Sequence, residues 1–560
     1  MEGRRQTCPA ARDLPKIPLL LPRFGIDFRR HRGTIFGRPH APASRRSSPA
    51  TARGIRHRFG QFANFYNDQE VSVPSAIIRD ERLFINGEWT AALDARTYDK
   101  KNPYTGEIAA KVAAGKREDA RRAIEAAAAA FHAWSTAAPA VRRRLLLKAA
   151  DVMESHQADI ARIIATETGG TFGWGMFNAI YTIGLLREAA AQTYSVIGEI
   201  IPSDLPDTTA MAMRQAAGVV VGIAPWNAPL ILGMRAIAAP LAYGNTVVLK
   251  ASEESPGTHL AIASTFEEAG FPKGVVNVIT NAPADAADVV DELIAHPKTR
   301  RVSFTGSTKI GKLIAEKAGK HLKRVVLELG GKAPMIVLAD ADMEAAVSAA
   351  NFGAFMNQGQ ICMSTERIVV EKSIADLFVL KLAAKAKALK VGDPANPETQ
   401  IGCMINPAAM ERVEALVADA VGKGAKVLSG GKAQGPCYPP TVLFGVTPAM
   451  RIYHEESFGP AKSVIIANDA EDAVRIANDT AYGLSSAVFT RDITKALHIA
   501  ERLEFGICHI NGATVHDEPQ MPFGGMKDSG YGRFGGRAGL EEFTELRWIT
   551  IRRSPTPYPI

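Results

Sequence analysis

The chain has 560 residues, 46% hydrophobic and 22% charged, which is the balance of a soluble globular protein large enough for two or three units with ample core. No run of eighteen apolar residues occurs, so no membrane-spanning helix is expected, and five cysteines (8, 362, 403, 437, 508) without a CxxC spacing exclude a disulfide framework or a structural zinc site. The formal charge of +8 belongs to the first 60 residues, where 13 Arg and 1 Lys face 3 acids for +11; the other 500 residues therefore carry −3 and offer no basic surface to nucleic acid.

The leader, assigned to 1–76, is rich in Arg, Ser and Pro and poor in acids. It reads as a disordered tail, an organellar transit peptide or sequence upstream of the true start. A cytoplasmic location is the expectation, or a mitochondrial one if the leader is a transit peptide. The folded body begins near "RLFINGEWT" (82–90), a strand-like run around the turn pair Asn86-Gly87. From 118 to 168 an Ala-rich amphipathic pattern predicts two long helices, the second stopping at Gly169-Gly170. From 216 to 340, apolar strands alternate with helices: "AAGVVVGIAPWN", "NTVVLKAS", "VVNVIT" and "RRVSFTGS" are the strands. That grammar predicts a parallel sheet covered on both faces. A second α/β series runs to about 540 and ends in "FTELRWITIR", an alternating strand without a nearby partner.

One literal GxGxxG, "GYGRFG" (530–535), follows a turn-rich stretch and is read as a loop rather than a dinucleotide fingerprint. A better cradle is "SFTGSTKIG", with Gly306 and Ser307 at a strand-to-helix handover where backbone N–H groups can receive a diphosphate. "LKASEE" puts Lys250 at the carboxyl end of a strand with Glu253 three residues on, positioned either to bind an adenosine ribose or simply to be solvated. In "PWNAPL", Asn227 can donate to an oxyanion or N-cap the next helix. Glu328 ends an apolar strand in "VVLELGGKAP", where partial burial would suit a general base. "HEESFGP" supplies Glu456 and Phe458, and "NQGQICMSTER" supplies Cys362, which is either core filling or a nucleophile.

Taken together and in this order, "PWN", "KASE", "FTGST", "LELGGK", "NQGQIC" and "EESFGP" resemble the NAD(P)-dependent aldehyde dehydrogenase superfamily over roughly 80–550. The tail "HINGATVHDEPQMPFGGMKDSGYGRFGG" is most similar to the branch acting on aromatic aldehydes such as vanillin and salicylaldehyde. Glu328 and Cys362 are 34 residues apart, a spacing typical of the hydrolytic members, and Ser364 stands where many relatives carry Ala or Gly. The resemblance implies a Rossmann-like doubly wound NAD-binding domain (77–328), an α/β catalytic domain (329–540), and a small β oligomerisation element formed by a hairpin at 194–215 and the tail 541–560.

It further implies Cys362 as nucleophile, Glu328 as base and Asn227 as oxyanion donor. For the cofactor it implies Ile223, Ala224, Pro225, Trp226, Lys250, Glu253, Gly306, Ser307, Gly311, Leu329, Glu456 and Phe458. Glu253 near a ribose 2′-hydroxyl would repel a 2′-phosphate, so NAD is expected, with NADP as the alternative. No metal is expected, and "HDE" at 516–518 is read as a surface loop. Ile231 and Arg235, four and eight residues after Asn227, fall on its helix face. With Ile361 and Met363 they are expected to wall the substrate pocket. Arg235 meets a polar ring substituent of the aldehyde or, alternatively, pairs with an acid of the protein. The expected partners are a small aldehyde and further copies of the chain in a homodimer or homotetramer, with neither nucleic acid nor membrane. Rival readings are a semialdehyde, aliphatic or CoA-acylating dehydrogenase of the same fold, and a non-catalytic protein on this scaffold.

Overall fold

A computed structural model describes residues 82–555, 558 and 560; the leader assigned to 1–76 lies outside them. Leu83–Ile85 and Glu88–Thr90 form a tight antiparallel hairpin. Asn86 (φ 56°) and Gly87 (φ 70°) turn it in the left-handed region that this residue pair tolerates. The hairpin opens an eight-stranded sheet whose core is five parallel strands in the order Val276–Ile279, Thr246–Lys250, Val219–Ile223, Thr299–Thr305, Arg324–Glu328. These strands are buried along almost their whole length because helices cover both faces.

The Ala-rich region contains three helices, not two: Arg117–Ser135, Pro139–Ser155 and Gln157–Thr168. His156 (φ −106°, ψ 7°) breaks the second from the third, and Gly169 caps the last in the left-handed region. A fourth helix, Phe172–Ala191, follows, too apolar on all sides to show a 3.6-residue stripe. It packs against Pro229–Ala242, itself buried along nearly its whole length.

Six residues past Glu328 the chain enters a second, seven-stranded sheet: Lys426–Ser429, Thr441–Phe444, Ala461–Ala467, Arg367–Glu371, Pro334–Val337, Ser485–Phe489, Ile507–Ile510. All neighbours are parallel except the first two. The chain then returns to the first sheet. "GYGRFG" is not a plain loop: Gly530–Tyr531 pairs antiparallel with Leu327 and Glu328, and Gly535 precedes a helix at Gly536–Phe543. An antiparallel edge strand cannot start the parallel crossover unit that a dinucleotide fingerprint needs, so that reading stays excluded for a different reason. The orphan strand Thr544–Arg552 pairs along nine residues with Thr208–Ala216, which also pairs with Glu199–Ile201. No helix among the described residues is long and apolar enough to cross a membrane.

Candidate active site

The register of the first sheet places the functional segments side by side. Ile223 pairs with Lys250 and with Phe304, and Thr305 pairs with Glu328, so four strand ends finish on one edge. The chain leaves Val219–Ile223 in one direction and later adds Thr299–Thr305 on its other flank. That reversal is where a doubly wound sheet opens a crevice beyond its carboxyl ends. A cavity of about 370 Å³ lies there, lined by Trp226, Asn227, Gly306, Glu328, Cys362 and Glu456 among others.

Cys362 comes from the second sheet's side, after a turn of unusual backbone. Asn357 (φ 49°) and Gln358 (φ 57°) both sit in the left-handed region ahead of Gly359 (φ 69°). Two consecutive non-glycine residues there cost about 1–2 kcal/mol each and persist only when their surroundings over-determine them. Here they do. Asn357 Nδ2 donates to the Asn227 carbonyl (3.0 Å), and Gln358 Nε2 donates to the carbonyls of Gly169 and Cys403 (3.0 Å each). Gln360 Oε1 accepts from Ile405 N (3.1 Å). Beyond the cysteine, Ser364 Oγ donates to the Gly353 carbonyl (3.0 Å) and Thr514 Oγ1 to the Met363 carbonyl (2.8 Å). Cys362 is thus pinned from both flanks. A Cβ on Gly331 would collide with the Cys362 carbonyl, so glycine there permits the loop after Glu328 to approach the nucleophile loop.

Asn227 does not cap its helix. The helix starts at Pro229 with Ala228 at the N-cap and no side-chain cap bond. Instead Asn227 Nδ2 donates to the Gln360 carbonyl (3.0 Å), and the Asn227 carbonyl accepts from Trp174 Nε1 (3.0 Å) as well as from Asn357. An amide carries two N–H donors, so one remains for a ligand.

The electrostatics fit proton-transfer chemistry. Neither oxygen of the buried Glu328 carboxyl accepts a well-formed hydrogen bond. Burial raises its pKa to about 7, against the opposing pull of the Cys362 thiol and Arg235. Burial also pushes the Cys362 thiol well above its ordinary value, with Glu328 adding to the effect. Near neutral pH the thiol is therefore protonated at rest, while Glu328 is divided about evenly between its protonated and ionised forms. Glu456 is likewise raised to about 7 by burial, with Gly331 N donating to its Oε1 at 2.8 Å. The Trp226 and Phe458 rings meet edge to face at 5.7 Å. Lys250 pairs with Glu253, which also accepts from Asn281 Nδ2 (2.8 Å).

Of the residues singled out in the sequence, Pro225, Trp226, Asn227, Gly306, Ser307, Glu328, Leu329, Cys362, Glu456 and Phe458 share the cavity. Ile223, Ala224, Lys250 and Glu253 belong to the strand ends beside it, outside its lining. Gly311 lets its helix close against Leu329, since a Cβ would strike that side chain. Ile231, Ile361 and Met363 are buried members of one hydrophobic core against which Cys362 packs, outside the lining of that cavity. Arg235 takes the alternative offered for it. It pairs with Asp517, donates to Tyr181 Oη (3.2 Å) and lies 4.3 Å over the Phe523 ring, lining a separate cavity of about 30 Å³. The "HDE" segment is a surface loop in which His516 and Glu518 are exposed (58% and 44%), while Asp517 turns inward at 10%. Sequence reading missed Ile405, Asn406, Ala409 and Arg412, which come from one loop and helix of the second sheet's layer. Arg412 had no local signal; it lines the cavity and donates to the Ser457 carbonyl (2.9 Å). Among the described residues, no group of three or more His, Cys, Asp or Glu is placed to hold a metal.

The family model for the aldehyde dehydrogenase family matches residues 89–549. The chain is 54% identical over 481 residues to a vanillin dehydrogenase of Pseudomonas fluorescens, covering 86% of this chain and 100% of that protein. It superposes with a TM-score of 0.84 on the crystal structure of a salicylaldehyde dehydrogenase from Pseudomonas putida G7 complexed with salicylaldehyde, at 48% identity over 86% of this chain and 99% of that one. A betaine aldehyde dehydrogenase of Staphylococcus aureus in complex with NAD+ gives the same TM-score at 34% identity, covering 87% and 99% of the two chains. With a paired thiol and carboxyl at a nucleotide-binding sheet edge, these matches carry one conclusion: the chain belongs to the aldehyde dehydrogenase family, oxidoreductases that use NAD(P) and a cysteine nucleophile to convert an aldehyde to a carboxylic acid.

Proposed function

We propose that the substrate is an aromatic aldehyde of the benzaldehyde, vanillin or salicylaldehyde type, oxidised with NAD. The observation that carries this reading is an aromatic row on the Phe172–Ala191 helix beside the oxyanion amide. Trp174 stacks on Phe177 at 5.4 Å and 16°, Phe177 meets Tyr181 at 6.1 Å, and Trp174 itself bonds the Asn227 carbonyl. Such rings offer offset-stacked and edge contacts to a flat substrate that an aliphatic chain cannot match. The likeness to enzymes named for vanillin and salicylaldehyde supports it.

The residues present fit a nicotinamide dinucleotide. Gly306 and Ser307 precede the Thr308–Lys320 helix and suit a diphosphate, Lys250 and Glu253 suit the adenosine ribose, and Glu456 suits the nicotinamide ribose, with Phe458 near the ring. Glu253 disfavours a 2′-phosphate, and so NADP. When bound there, the nicotinamide supplies the hydride acceptor. The protein's own part is as follows. Glu328 takes the Cys362 proton, directly or through a water, and the thiolate attacks the carbonyl carbon. The oxyanion is held by the free Asn227 N–H and the Cys362 backbone N–H. Once the substrate has become a thioester on Cys362, Glu328 removes a proton from the water that hydrolyses it.

Assembly into dimers or dimers of dimers belongs to the same reading. The strand Thr544–Arg552 exposes Leu546, Trp548 and Ile551, and its sheet neighbours expose Ile200 and Met213, an apolar edge suited to another copy. NADH production should be measured with benzaldehyde, vanillin, salicylaldehyde, hexanal and succinate semialdehyde, each with NAD and NADP. The expected order puts the aromatic aldehydes with NAD at least about tenfold ahead in kcat/KM, the yield of about 1.4 kcal/mol in differential binding. A lead for either aliphatic compound would overturn the substrate reading.

A further inference from the structure

Four residues beyond Cys362, and four beyond Glu328, the two catalytic loops converge on one fully buried carboxylate, Glu366. Its Oε2 accepts from Lys332 Nζ (2.7 Å) and Ser457 N (3.0 Å), and its Oε1 accepts from Lys462 Nζ (2.7 Å) and Ser457 Oγ (2.6 Å). Glu366, Lys332, Lys462 and Ser457 are each at most 1% exposed. The backbone is tied at the same point, with Glu366 N donating to the Ala333 carbonyl (3.0 Å) and Ser463 N to the Glu366 carbonyl (3.3 Å). A buried charge that fully satisfied must hold its partners in one geometry, because any slippage leaves an uncompensated ion.

Glu366 lies outside the cavity lining, yet two of the segments it grips carry functional groups. Lys332 follows Glu328 on the Gly330-Gly331 turn, whose Gly331 N–H already holds the Glu456 carboxylate. Ser457 follows Glu456 directly, and its carbonyl is held on the other side by Arg412 from the cavity wall. We propose that Glu366 is a positioning residue for the cofactor: through Ser457 and Lys332 it fixes Glu456 at the nicotinamide ribose end of the cleft. The inference rests on the reading of Glu456 as the ribose ligand.

Calorimetric titration of NAD into the full-length protein and three variants tests both. Glu456→Gln sets the benchmark. Ser457→Ala removes one hydroxyl from the clamp and should raise the Kd for NAD about threefold; Glu366→Gln removes the charge and should raise it about tenfold, the span from a neutral to a charge-assisted bond. The KM for NAD should rise in step while the KM for benzaldehyde stays within about twofold, a split that mere loss of stability would not produce. If Glu456→Gln weakens NAD binding while Ser457→Ala and Glu366→Gln leave it at the parent value, the clamp is overturned and the ribose reading stands. If Glu456→Gln itself leaves Kd unchanged, the ribose reading falls, and the clamp as a cofactor device falls with it. Should Glu366→Gln fail to fold, Ser457→Ala decides alone.

Discussion

Two carboxylates, Glu328 and Glu366, sit in equally deep surroundings a few residues from the same loops, and they have opposite characters. Glu328 has no well-formed hydrogen-bond partner, and burial lifts its pKa to about 7. Glu366 pays the same burial penalty, but two lysines and Ser457 surround it and hold it down at about 2. Depth alone therefore does not set ionisation; the supply of donors does. A group left short of partners can exchange a proton with a substrate or a thiol. A group supplied with every partner can only hold things still.

The largest effect expected around the first carboxylate is on its own partner. Cys362→Ala should lower kcat/KM by about 10⁴-fold or more, read by steady-state NADH production, since no second thiol lines the cavity. Next, Glu328→Gln should lower kcat by about 10²–10⁴-fold, the usual worth of a positioned base. The parent's activity should fall as pH drops below about 7, where Glu328 takes up its proton, and the variant should lose that dependence. The same substitution should raise stability. A carboxyl with a folded pKa above its unfolded value loses stabilisation as pH rises from about 4.5 through about 7. Removing the charge should thus return on the order of 2–3 kcal/mol at pH 8, seen as a higher Tm, with no gain at pH 4.

Glu366→Gln should do the reverse. A folded pKa below the unfolded one contributes stability above about 4.5 that is lost as pH falls through about 2. The variant should be less stable than the parent by about 3 kcal/mol at pH 7, and the gap should close as the pH approaches 2, followed by Tm across that range. Equal responses of the two variants at pH 8 would erase the contrast between a reactive and a clamped carboxylate.

Much of the site was legible because its motifs are local. "FTGST" is a strand end, a turn and a helix start within five residues, and the structure forms a strand to Thr305 and a helix from Thr308. The Phe172–Ala191 helix was not legible, because its solvent-facing side carries Phe177 and Ile180 and so lacks the polar face that periodicity detects. Arg412 and Asp517 were missed for another reason. Each reaches its partner across long sequence separation, Asp517 meeting Arg235 at 282 residues and Arg412 meeting Ser457 at 45. The choice at Asn227 between cap and donor likewise waited on the Gln360 carbonyl, 133 residues away.

By itself the sequence determined the class of fold and, through its resemblance to the aldehyde dehydrogenases, the reaction, because the motifs that carry both are short and their backbone geometry is local; it offered Cys362 and Glu328 as nucleophile and base. Tertiary structure decided which polar atoms are satisfied. It left Glu328 open and closed Glu366, and between the two readings of Arg235 it selected the ion pair with Asp517. It also packed Ile231, Ile361 and Met363 into the core behind Cys362. The physical reason is the same in each case: a side chain's charge, reach and freedom are set by what folds against it, and those partners lie on other elements of the chain.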